Sequence, residues 1–90
     1  MSSILRLIRD IIYIIKFFGV YGYYMDYKER IKELRLERKL SQMQLAKKLD
    51  VSQSAVAKWE LGKTEPTASA IVKMAKFFGE TADYILGLED

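Results

Sequence analysis

Two helix-start signals with a tight turn between them constrain this chain more than any other feature. In Gln42 to Leu61, QMQLAKKLDVSQSAVAKWEL, the first helix is opened by Ser41. Gln44 stands three positions later, so each side chain can satisfy the other's backbone N–H in a capping box. Leu45, Ala46 and Leu49 then recur at helical spacing and give one apolar face. Ser52 is a second N-cap, and it opens a helix whose apolar positions are Val56 and Trp59. Asp50 and Val51 are left for the turn. Ala46 is small where two steeply crossed helices come closest, and Val51 is placed to plug the corner between them. The spacing therefore predicts a helix-turn-helix over residues 42–61.

Ninety residues, half of them hydrophobic, suit one small domain with a modest core. Cysteine and histidine are both absent. Without cysteine there is no disulfide framework or thiolate site, which fits a reducing cytoplasm. Without histidine the commonest general base and metal ligand are missing too. No nucleophile–base pair, metal cluster or phosphate-cradling glycine loop stands out, so neither an enzyme nor a bound cofactor or metal is expected. The net charge of +3 is unevenly spread: residues 1–25 carry +2, residues 26–65 carry +3 and residues 66–90 carry −2. The basic excess lies at the N-terminus and around the paired helices, which suits a polyanionic partner.

The run LSQMQLAKKLDVSQSAVAKWELGKTEP resembles the helix-turn-helix of the Cro/phage-repressor family, the XRE type, and the likeness extends from about Ile31 to Leu86. It implies an all-α, five-helix lambda-repressor-like DNA-binding domain over residues 25–90. Residues 1–24, an amphipathic helix with an aromatic and glycine-containing linker, form an extra N-terminal segment. One departure is Asp50, where the family usually has glycine in a left-handed turn; Asp tolerates that conformation at a cost of about 1 kcal/mol. The resemblance also implies an ion pair between Arg35 and Glu60 that clamps the first helix of the domain to the end of the second motif helix. Arg35, Glu60, Ala46, Val51, Val56 and Trp59 are thus the expected structural support of the motif.

Around the motif, Asp26 and Glu29 form a second capping box, with Ile31 and Leu34 facing inward after it, Leu40 at the helix end and Leu36 facing outward. Gly62 should end the second motif helix, and Pro66 separates it from the next one. Thr67 caps a helix bearing Ala70, Ile71, Met74 and Phe77 or Phe78, closed by Gly79. Thr81 caps a last short helix with Tyr84, Ile85 and Leu88, and Gly87 near its end. These two helices form the lid of the core, and the resemblance implies that their exposed apolar remainder can serve in dimerisation.

Residues 4–18 are less ordinary. Arg6, Arg9, Asp10, Tyr13 and Lys16 form one narrow polar stripe, and aliphatic or aromatic side chains cover the rest of the helix. Gly19, Gly22 and a cluster of aromatic residues come next. The segment is open to several readings: packing on the domain or on a second copy, a protein partner as in an antitoxin, a membrane surface, or an upstream extension before Met25. The charges interrupt every window long enough to span a bilayer.

A recognition helix presents its N-terminal residues to base edges in the major groove. Gln53 and Ser54 open this helix and Lys58 lies one turn beyond Ser54, so these three are the expected base contacts, a placement the family resemblance also implies. Gln53 can bind adenine bidentately, and Lys58 can reach guanine N7 or O6. Ala55 and Ala57 are short and can offer a methyl to thymine. Gln42, Ser52, Lys63 and Thr64 are the expected phosphate contacts. Double-stranded DNA is the expected partner, read by a homodimer, because one such helix recognises only a few base pairs. The function expected is a sequence-specific transcriptional regulator, a repressor in the first instance. The alternative is a protein-interaction or antitoxin-type module on the same fold.

Overall fold

The computed structural model describes residues 3–18 and 25–89, with the side chains of residues 12–18 outside the description. The Gly19, Gly22 and aromatic features of the linker lie outside the described residues. The elements in order are α1 (Ser3–Phe18), α2 (Tyr27–Glu37), α3 (Gln42–Leu49), α4 (Gln53–Leu61), α5 (Ala68–Phe78) and α6 (Ala82–Ile85). Among the described residues the fold is all helical.

Each helix from α2 onward starts where its cap predicts. Ser41 Oγ accepts from Gln44 N at 3.0 Å while Gln44 Oε1 accepts from Ser41 N at 2.8 Å. Asp26 and Glu29 make the same reciprocal pair at α2. Ser52, Thr67 and Thr81 each accept from the amide three residues on. These bonds satisfy amides that a helix start otherwise leaves without partners.

The helix ends share one device. After α2, α3, α4, α5 and α6 the chain turns left-handed at Lys39, Asp50, Gly62, Gly79 and Gly87. In each case the next amide then bonds back five residues, as Val51 N does to Ala46 O at 3.0 Å. Asp50 stands at φ 55°, as the turn requires. Lys39, at φ 57°, is a left-handed position that its residue type does not advertise. Gly87 is fixed by space as well as by φ: a Cβ there would lie 2.2 Å from the Met25 carbonyl oxygen.

The core is built from Ile31 and Leu34 of α2, Leu45, Ala46 and Leu49 of α3, Val56 and Trp59 of α4, Ala70, Met74 and Phe78 of α5, and Tyr84 and Ile85 of α6. Val51 packs against it from the turn. Burial of this set is the main favourable term in folding a chain of this size. Leu88 departs from its expected place: α6 ends at Ile85, Gly87 reverses the chain, and Leu88 projects into solvent, 69% exposed.

Two arginines bond to the body in ways that spacing alone does not reveal, Arg30 inside it and Arg38 at its surface. Arg30 is 1% exposed, with its guanidinium 3.9 Å from the centre of the Tyr84 ring. Arg38 donates from Nη2 to the Phe78 carbonyl at 2.8 Å, occupying an acceptor at the C-terminus of α5.

Candidate nucleic-acid interface

The outer edge of α4 is set by its inner one. Val56 and Trp59 are buried, which turns Gln53, Ser54 and Lys58 to solvent, and all three are exposed. The α1 helix meets the body elsewhere, where Arg9 Nη1 donates to the Tyr84 hydroxyl at 3.3 Å. Ala55 and Ala57 are both half-buried, and Ala55 packs against the core.

A polar chain runs from the interior to the tip of α4. Arg35 Nε and Nη2 donate to the two oxygens of Glu60 at 2.7 and 2.9 Å, and Arg35 Nη1 donates to the Leu40 carbonyl at 2.8 Å. The hydrogen bond to Glu60 holds the Arg35 guanidinium above its ordinary pKa, against the opposing effect of burial. Glu60 Oε1 also accepts from Gln42 Nε2 at 3.2 Å, and Gln42 Oε1 accepts from Gln53 Nε2 at 2.8 Å.

The direction of this chain is set by its first member. A carboxylate can only accept, so Gln42 must give Glu60 its amide nitrogen and keep its oxygen for Gln53. Gln53 must then give its nitrogen to Gln42. That leaves its Oε1 and its second N–H outside the chain, one acceptor and one donor side by side. This is the pairing that the N6 and N7 edge of adenine requires. Sequence spacing places Gln42 and Gln53 at two helix starts but does not show that they touch. The one sign of it in the sequence is a pair of amide side chains at the first positions of the two motif helices.

The positions expected to meet phosphate flank this edge. Gln42 is the first residue of α3 and is half-buried; one of its amide N–H groups goes to Glu60 and its oxygen accepts from Gln53, while the second N–H remains to donate. Ser52 uses its oxygen to accept from Ala55 N at 3.0 Å, yet a hydroxyl keeps its own proton to donate. Lys63 and Thr64 are exposed in the loop after α4. The Thr64 carbonyl accepts from the Tyr27 hydroxyl at 3.4 Å, which ties that loop to the start of α2. Ala46, 2% exposed, is part of the core, and Val51 packs against that core from the turn between α3 and α4.

Two short helices joined by a tight turn, each with one buried apolar face, and the second presenting a polar edge, have the form of a helix-turn-helix. Residues 31–85 match the helix-turn-helix family, and the chain belongs to it, in the Cro/phage-repressor type. The HTH-type transcriptional activator BcrR of Enterococcus faecalis is 39% identical over 66 residues, covering 73% of this chain. The chain spans only 32% of BcrR's own length. The P22 c2 repressor, crystallised in complex with a synthetic operator, superposes with a TM-score of 0.66 at 32% identity, covering 69% of this chain and 94% of that one. Hydroxypropylphosphonic acid epoxidase from S. wedmorenis also carries the fold, with a TM-score of 0.60 at 26% identity over 67% of this chain and 32% of its own. Function therefore has to be argued from the site and not from the fold.

Proposed function

We propose that this chain is a sequence-specific DNA-binding transcriptional regulator, acting as a repressor, that reads the major groove with α4 as a homodimer. The reading rests on one observation above the others: the chain Glu60–Gln42–Gln53 orients a glutamine amide at the exposed tip of α4. An exposed, oriented donor–acceptor pair at a helix start matches the edge of an adenine. Ser54 and Lys58 extend the reading edge, and Ser52, Lys63 and Thr64 hold the sugar-phosphate backbone on either side. Gln42 serves by positioning Gln53, with its backbone N–H at the start of α3 still available to a phosphate.

Residues 25–90 are the reading unit on this view, with α1 and its linker as a separate segment. Dimerisation is argued from the small footprint of a single helix, and two copies on a two-fold site would set their half-sites one helical turn, about 34–36 Å, apart. DNA places the protein in the cytoplasm, and the site calls for no catalytic group or cofactor. In vitro selection of bound duplexes tests the whole reading. The expected result is an enriched, two-fold-related motif with one such spacing. Recovery of unenriched sequence at moderate salt would favour the protein-interaction alternative.

A further inference from the structure

The apolar side of α1 points away from the protein. Ile4, Leu7, Ile8 and Ile11 are 68, 60, 48 and 49% exposed. Their spacing of three, four and seven places them on one arc of the helix. The opposite side meets the body: Arg9 is half-buried, bonded to the Tyr84 hydroxyl, with its guanidinium 5.4 Å from the centre of the same ring. Leu5 is half-buried beside it. A helix added to extend the core would have the reverse orientation, with its aliphatic arc inward and its arginines in water.

Two properties of the helix discriminate between occupants of this arc. The first is charge. Arg6, Arg9 and Lys16 against Asp10 give the helix +2, so two copies laid side by side would repel, whereas an anionic surface attracts each one. The second is width. With Ile8 beside Ile4, Leu7 and Ile11 the exposed arc is broader than a two-helix seam, and it suits a flat apolar boundary. Among the described residues no helix is long and apolar enough to cross a membrane, so the helix would lie in the surface and not span it.

We infer that α1 is a reversible anchor to an anionic lipid surface, lying along the bilayer with Ile4, Leu7, Ile8 and Ile11 in the acyl boundary and the rest of the protein on the aqueous side. Arg6 lies on the polar side of the helix and extends its long side chain back toward the headgroups, while Arg9 couples the helix to α6. The α1 helix is held to the body through Tyr84 of α6, whereas the base-reading residues belong to α4, so the two roles use different elements. The inference stands apart from the proposed reading of DNA and survives or fails without it.

The test is co-sedimentation of the full chain with vesicles of phosphatidylcholine mixed with phosphatidylglycerol, against phosphatidylcholine alone. Binding should favour the anionic vesicles and weaken with salt. Leu7→Gln with Ile11→Gln should lower partitioning at least roughly tenfold, since both side chains leave the acyl boundary. Arg6→Gln should lower it roughly fivefold on anionic vesicles only. These positions are exposed, so thermal unfolding and binding to duplex DNA should stay at wild-type values. Two results would overturn the inference. One is sedimentation-velocity self-association that the paired Gln substitutions abolish, with no vesicle binding, which makes a second copy the occupant. The other is the absence of both effects, which leaves the arc without a ligand.

Discussion

Arg35 and Glu60 form a two-pronged ion pair, with bonds of 2.7 and 2.9 Å, between side chains that are only 10 and 5% exposed. It joins α2 to the end of α4. The same carboxylate accepts from Gln42 Nε2, so on the proposed reading one residue serves both the stability of the domain and the aim of its reading edge. A surface ion pair contributes little, but this one is largely out of water, and loss of one partner strands the other. Glu60→Met should therefore cost about 3 kcal/mol in urea unfolding. Adding Arg35→Met should restore much of that stability, because two apolar side chains can fill the space. Base discrimination should not return with it, since Gln42 then has no acceptor to orient it. A double variant with wild-type specificity would refute the orienting role of Glu60.

The glutamine pair gives a second prediction. Gln53→Ala should weaken binding to the selected site by roughly 1–3 kcal/mol and relax one base position. Gln42→Ala leaves Gln53 in place but free to rotate its amide. It should relax the same base position. In a double-mutant cycle on competition binding, the combined loss should be smaller than the sum of the two single losses. Independent effects at different base positions would mean that their hydrogen bond has no part in recognition.

Lys63 makes a contrasting case. It is exposed in the loop after α4 and takes no part in the close ion pairs found among the described residues. Lys63→Ala should weaken binding to all duplexes alike and lower the slope of log K against log salt by about 0.9, the value for one phosphate contact. Measuring affinity at several salt concentrations on selected and scrambled duplexes separates this from a base contact.

The backbone offers a test that involves no ligand. Lys39 holds a left-handed conformation that costs a residue with a Cβ about 1 kcal/mol, so Lys39→Gly should raise thermal stability by up to that amount. Gly87→Ala should do the opposite and do more. Its new methyl would meet the Met25 carbonyl at 2.2 Å, and the segment leading into α2 would have to move. Calorimetry of the two variants gives both signs in one experiment.

Much of the fold is written locally. Ser41, Ser52, Thr67 and Thr81 mark helix starts because a short side-chain oxygen can reach an amide three residues on, and that needs no other part of the chain. Val56 and Trp59 define the inner face of α4, and hence its outer one, by helical period alone. The likeness of LSQMQLAKKLDVSQSAVAKWELGKTEP to a known family supplied the pairing of Arg35 with Glu60, which period and propensity do not encode.

Other features depended on assembly. Lys39 turns left-handed because α3 must start where it does, although its residue type gives no such signal. Arg30 counts as a surface charge in any composition, yet the Tyr84 ring gives it a place in the interior. Leu88 has the spacing of a core residue but falls beyond a reversal at Gly87 that is dictated by Met25, far away in sequence. The bond between Gln42 and Gln53 and the outward turn of Ile4, Leu7, Ile8 and Ile11 are of the same kind. A residue's type and period say which side of its own helix it occupies. The neighbour on that side is decided only when the other helices arrive, because contacts between distant segments have no signature in either segment alone.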